Sequence, residues 1–182
     1  MTNFQVPTRE EVSPANQAIF DKLQKQVGFL PNLFATYAYS ENGLKNHLES
    51  SAAKTSLSKR EIEVVNLAVS QVNECLYCLS AHTAIAKMNG FNEDQILEIR
   101  RAEVTFDPKL DALAKLAKDA TENRGKTTPK VVEQFLAAGY NKENLVDTII
   151  AIGEKIKSNY LHNTTNVPVD FPLAPALETA AI

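Results

Sequence analysis

Apolar positions recur at helical spacing along almost the whole chain. Ile19, Leu23 and Val27 stand four residues apart and Phe20 widens their stripe, between the cap pair Ser13-Pro14 and a stop at Gly28. Pro31 opens a short helix through Leu33, Phe34 and Tyr37. A third helix is predicted from about Glu41 to Lys54, with Leu44, His47 and Leu48 on one side. Ser58 and Glu61 form a capping box heading a helix that carries Ile62, Val65, Leu67, Val69 and Val72.

Asn73-Glu74 reads as a break, after which Cys75 begins a helix ending at Gly90. Asn92 caps the next, with Ile96 and Ile99 inward. Asp107-Pro108 starts another, with Leu110, Leu113, Leu116 and Ala117 inward and Gly125 beyond its end. Thr128-Pro129 starts a short helix closed by Gly139. Asn141 starts the longest, through Leu145, Ile149, Ile152 and Ile156 to about Leu161. Val167-Pro168-Val169-Asp170-Phe171-Pro172 cannot continue it and predicts an extended tail lying across the body or a neighbouring subunit. Strand alternation is absent, so the pattern predicts an all-α fold.

One internal echo stands out. Gly90-Phe91-Asn92-Glu93-Asp94 and Gly139-Tyr140-Asn141-Lys142-Glu143 each read as stop, aromatic, Asn cap and acidic first turn. Shared capping chemistry and a duplicated helical unit explain it equally well.

A chain of 182 residues predicts one domain over 1–182. Within it, N-terminal helices cover about 13–54, a core about 58–161 and an extended tail about 164–182. A chain of this size buries roughly 70% of its unfolded surface, so no disulfide staple is required. The net charge of −3 argues against nucleic acid or an anionic membrane as partner. No apolar run approaches a membrane span, and the first residues have neither the basic nor the apolar region of a secretory leader. The expected location is cytoplasmic, where a close cysteine pair is redox-active or metal-binding more often than structural.

Cys75 and Cys78 are the only cysteines, and His82 lies one helical turn beyond the second. Three readings compete for this cluster. Free cysteines are common core residues, so the pair could be structural. A zinc site of Cys75, Cys78, His82 and a carboxylate is disfavoured, because structural zinc usually draws ligand pairs from separate segments. Thiol redox chemistry fits best. A helix N-terminus favours thiolate, a second thiol converts a sulfenic acid to a disulfide, and an imidazole shuttles the protons. The dipole argument alone marks Cys75 as the more acidic thiol. Glu63, Glu74 and Glu61 are candidates for the carboxylate that orients His82.

Glu63, Cys75, Cys78 and His82 together reproduce E-x11-C-x-x-C-x3-H, and the chain thereby resembles the alkylhydroperoxidase D-like group of the carboxymuconolactone decarboxylase family. Leu57-Ser58-Lys59-Arg60-Glu61-Ile62-Glu63 leads into the motif as in that family. Gly28-Phe29-Leu30-Pro31-Asn32 and the segment Asn159-Tyr160-Leu161-His162-Asn163-Thr164 with Val167-Pro168-Val169-Asp170 are similar to its peroxidase-related branch.

The resemblance implies an all-helical, alkylhydroperoxidase D-like, homo-oligomeric protein, trimeric or hexameric. Its implied activity is thiol-dependent reduction of alkyl hydroperoxides in an antioxidant role. Cys78 would attack the peroxide, Cys75 would resolve the product, and Glu63 with His82 would relay protons. No bound cofactor or metal is implied; an external dithiol protein regenerates the pair, lipoyl groups serving in characterised members. Those members carry His immediately before the second cysteine, where this chain has Tyr77, a hydrogen-bond donor rather than a proton shuttle at neutral pH.

Tyr77 and His162 are the candidates for secondary polar groups of the pocket, His162 equally suiting a helix C-terminus. His47 and the aromatics Phe29, Phe34 and Tyr37 read as packing residues, and Lys54, Lys59 and Arg60 as a solvated run. The alternatives to a peroxidase are a thiol–disulfide oxidoreductase without peroxide preference and a non-enzymatic oligomeric binding or stress protein.

Overall fold

The structure is a computed structural model describing residues 4–177. After a single 3-10 turn at Arg9–Glu11, the chain forms α1 (Pro14–Val27), α2 (Asn32–Tyr37), α3 (Gly43–Ser51), α4 (Lys59–Val72), α5 (Leu76–Met88), α6 (Glu93–Arg101), α7 (Pro108–Glu122), α8 (Pro129–Ala137) and α9 (Lys142–Thr165). No strand occurs among the described residues, and the all-α expectation holds.

The caps explain why most of these boundaries were readable. Ser13, Ser58, Asn92, Asp107 and Asn141 each accept a hydrogen bond from a first-turn amide, satisfying donors that a helix start leaves free. Gly28 ends α1 at φ 89°, a left-handed conformation that costs glycine little. The echo at Asn92 and Asn141 is the same capping box built twice, closed by Gln95 and Asn144.

Two boundaries and two inward positions differ from expectation. α3 is shorter than 41–54. α9 continues one turn past Leu161, until Asn166 turns left-handed. Val27 and Ile149, expected inside, are exposed, whereas Thr148 is fully buried. Nor is Arg60 merely solvated: its guanidinium sits 4.0 Å from the Phe91 ring centroid and donates to the carbonyls of Asn89 and Gly90.

α4 is the central element, packed against α5, α6, α7 and α9. Glu63 through Ser70 are all buried, as befits a helix surrounded by others. The main core joins Val64, Leu67 and Val69 of α4 to Ile96, Ile99, Leu113, Leu116 and Phe135. A smaller cluster gathers Leu33, Cys75, Tyr77, Cys78 and Val167, so the thiols lie where the N-terminal helices, α5 and the tail meet.

The tail packs across this same body. Arg100 donates to Pro175 O at 2.8 Å, Ser80 Oγ accepts from Ala174 N at 3.1 Å, and Asp170 accepts from Asn32 N at 2.7 Å. Residues 178–182 of the expected tail lie outside the described residues. No helix among the described residues is long and apolar enough to cross a membrane.

Candidate functional site

The site begins at the junction of α4 and α5. Glu74 takes the left-handed conformation, φ 52°, and turns the chain so that Cys75 N donates to Ser70 O at 3.0 Å. Cys75 thereby becomes the N-cap of α5, and its sulfur accepts from Cys78 N at 3.4 Å. A thiol here does what serine or asparagine does at other helix starts. The C-x-x-C spacing thus places both sulfurs at the first turn of one helix, with His82 a turn further on. Both cysteines are free and buried.

Behind the thiols runs a line of three charged or titratable groups from three helices. Glu63 of α4 is 2.8 Å from His82 Nδ1, with the two side chains only 7% and 13% exposed. Its other oxygen accepts from Asn66 Nδ2 at 3.0 Å. The opposite ring nitrogen, His82 Nε2, meets Lys155 Nζ of α9 at 2.5 Å.

An ionised carboxylate only accepts and an ammonium only donates, so the imidazole between them is neutral with its proton on Nδ1. Burial and Lys155 both hold His82 below its ordinary pKa, outweighing Glu63. Burial would raise Glu63, but His82, Lys155 and Asn66 more than offset it, and the carboxyl stays below its usual range. The line therefore carries one buried negative and one positive charge, compensating each other through the ring.

The two thiols are driven apart. Cys78 is lowered to about 7, first because the Cys75 thiol hydrogen-bonds to it; burial opposes this, and Lys155 and Asn159 add smaller lowering effects. Cys75, donor in that same bond and buried, is pushed far up. Only one of two touching thiols can ionise readily. The helix-dipole expectation for Cys75 is outweighed by this pairing and by the position of Lys155.

Of the three candidate carboxylates, Glu63 alone reaches His82. Glu61 closes the α4 capping box and pairs with Lys109, and Glu74 is exposed. Tyr77 lies with the thiols but turns its phenol away, where it accepts from Leu33 N at 3.2 Å. Burial, with the nearby Asp170 carboxylate, pushes that phenol well above its ordinary range. His162 contacts Tyr77 ring to ring and faces Val167 O at 3.2 Å, tying the end of α9 to the tail. His47 stacks on Tyr37 at 4.3 Å between centroids, and its Nδ1 makes no hydrogen bond. Tyr37 in turn packs against the thiol cluster and bonds Ser158.

Two residues of the site escaped the sequence reading. Lys155 sat in a helix whose inward face was assigned to isoleucines. Asn159, fully buried, joins Ser70 Oγ and Asn73 Nδ2 and supports both thiols. The available signal was register: Ile152, Lys155, Asn159 and His162 follow each other at three- and four-residue steps on one face of α9. Among the described residues, no group of three or more His, Cys, Asp or Glu side chains is arranged to hold a metal ion.

The model of the carboxymuconolactone decarboxylase family matches residues 40–119, which contain the glutamate, both cysteines and His82. The uncharacterized protein YdfG of Bacillus subtilis (strain 168) is 24% identical over 122 residues, covering 65% of this chain and 83% of that protein. An uncharacterized peroxidase-related protein from Ralstonia eutropha JMP134, an alkylhydroperoxidase AhpD core, superposes with a TM-score of 0.82 at 21% identity over 92% of both chains. The debrominase Bmp8, in complex with 2,3,4-tribromopyrrole, superposes with a TM-score of 0.76 at 14% identity, covering 93% of this chain and 92% of its own. Residues 40–119 of this chain match the carboxymuconolactone decarboxylase family, and its fold is shared with the alkylhydroperoxidase AhpD core of that peroxidase-related structure.

Proposed function

We propose that this protein is a dithiol peroxidase acting on organic hydroperoxides. The observation that carries the reading is the placing of both thiols at the first turn of α5, Cys75 as its N-cap accepting from Cys78 N at 3.4 Å with the Glu63–His82 pair behind them, a pairing that lowers Cys78 and raises Cys75. That is the division of labour that attack and resolution require. The Cys78 thiolate attacks the terminal peroxide oxygen; an S–O bond forms, the O–O bond breaks, and the departing alkoxide takes up a proton from solvent water and leaves as alcohol. The Cys75 sulfur then displaces hydroxide from the sulfenic acid, which leaves as water with the Cys75 proton, giving the Cys75–Cys78 disulfide. An external dithiol, of the lipoyl class or on a small redox protein, reduces it by two exchange steps. Glu63 and His82 hold the polar line behind the thiols, and Tyr77 anchors the tail rather than shuttling protons.

A homo-oligomer fits the exposed apolar stripe of α9, formed by Val146, Ile149, Ile150 and Tyr160. Light scattering after size exclusion checks this assembly.

The activity is tested by stopped-flow mixing of reduced protein with cumene hydroperoxide, following thiol loss and sulfenate trapping. Cys78→Ser should consume no peroxide, and Cys75→Ser should give one turnover ending in sulfenate. Wild-type thiols that survive excess hydroperoxide yet exchange rapidly with lipoamide would replace the peroxidase reading with a thiol–disulfide oxidoreductase.

A further inference from the structure

The Glu63–His82 pair leaves the imidazole no nitrogen for the thiol. Nδ1 is held by the carboxylate and Nε2 by the Lys155 ammonium, so neither faces Cys78 in the resting site. An imidazole with both nitrogens engaged is not a free base toward a sulfur. The cation in this site is therefore lysine, reaching in from a helix 73 residues further along the chain.

We infer that Lys155 is a positioning residue of the thiol site: its ammonium locks His82 as the neutral Nδ1–H tautomer and is the positive charge against which the Cys78 thiolate forms. This deepens the peroxidase reading and rests on it for its catalytic meaning, but not for its electrostatics. Lys155 projects from the buried face of α9, one turn before Asn159, which itself supports both sulfurs. The other groups facing this region cannot replace it. His82 on α5 is neutral, and Glu63 on α4 is negative. Tyr37 on α2 is pushed up to about 12 and stays neutral, and His47 on α3 is lowered to about 4 and stays neutral. On α9 itself, Glu154 is negative and engages Lys157 at 2.6 Å, which occupies the neighbouring ammonium. Lys155 is left as the cation acting on Cys78 without a direct carboxylate partner among the described ion pairs.

The test needs no peroxide. Thiolate absorbance at 240 nm is titrated from pH 5 to 9 on the reduced full-length protein, as wild type, Lys155→Arg and Lys155→Met. Far-UV circular dichroism on each confirms the fold. Wild type should titrate near pH 7, and the arginine variant should stay close to it. The methionine variant should shift upward by about one pH unit, about a tenfold loss of thiolate at pH 6. A folded Lys155→Met protein with the wild-type midpoint overturns the inference. Nitrogen-15 NMR of His82 in the wild type provides a second reading that does not depend on any variant folding. The neutral Nδ1–H tautomer should persist from pH 6 to 8, and a charged ring or an Nε2–H tautomer in that range overturns the assignment. A low thiol midpoint without hydroperoxide consumption would sink the peroxidase reading while leaving the role of Lys155 intact.

Discussion

His47 offers a sharp test of how the N-terminal helices are held against the thiol cluster. The ring is buried, stacked on Tyr37 with 11° between planes and met edge-on by Phe34, and its Nδ1 has no hydrogen-bond partner. Burial, then the charges of Lys157 and Lys155, lower its pKa from 6.5 to about 4, against a smaller opposing effect of Glu154. The folded protein thus binds this proton more weakly than the unfolded chain does. The contribution is present in full above pH 6.5 and is lost as pH falls toward about 4. Linkage puts the loss at about 1.4 kcal/mol at pH 5.5 and about 2.5 kcal/mol at pH 4.5.

The perturbation is His47→Leu, which keeps the volume, removes the titration and deletes a nitrogen that makes no bond, so its effect at pH 7 should be small. Urea unfolding followed by far-UV circular dichroism is measured on both proteins at pH 7.0, 5.5 and 4.5. Every other titrating group is common to the two proteins and cancels in the difference. The variant should gain on wild type by the amounts above as the solution is acidified. A stability difference that stays constant within about 0.5 kcal/mol across that range would refute a buried, neutral His47.

Glu63→Gln should cost about 3 kcal/mol in urea unfolding at pH 7, because it strands Lys155 without its buried counter-charge. The same carboxyl, depressed in the folded state, adds an acid loss of stability in wild type only below about pH 4.3, absent from the variant. Tyr77→Phe removes the acceptor for the buried Leu33 amide and should cost about 1–3 kcal/mol while leaving the thiol titration unchanged. Arg100→Met frees the tail from its bond to Pro175, and amide exchange at Ala174, held by Ser80, should accelerate at least tenfold by mass spectrometry or NMR. Asn159→Ala should raise the Cys78 midpoint and cost about 1–2 kcal/mol, measured by thiolate absorbance and thermal unfolding.

The readable parts of this fold are those decided by neighbours in sequence. Ser58 with Glu61 and Asn92 with Gln95 satisfy first-turn amides only three residues away, and the starts of α4 and α6 fall where those pairs place them. The short-range half of the site was equally open, since C-x-x-C and a histidine four residues later share the start of one helix whatever packs around them. The resemblance brought in Glu63 from α4, and the fold sets it 2.8 Å from His82.

What remained hidden depends on which face of α9 turns inward. Periodicity assigns isoleucines to the core, and Ile152 goes there, but Ile149 and Ile150 face outward. Thr148, Asn159 and His162 are buried instead, and Lys155 is turned inward beside them. A polar face is stable inside only when partners from other helices satisfy it: His82 for Lys155, Ser70 and Asn73 for Asn159, Val167 for His162. Those partners lie in distant parts of the sequence or across a turn, so no local pattern encodes them. By itself, then, the amino-acid order determined the helices, their caps and the placing of two sulfurs and an imidazole at one helix start. How the two sulfurs differ, and which buried polar and charged groups surround them, was decided only when α4, α5 and α9 packed together, because Coulomb energies depend on distances that folding alone sets.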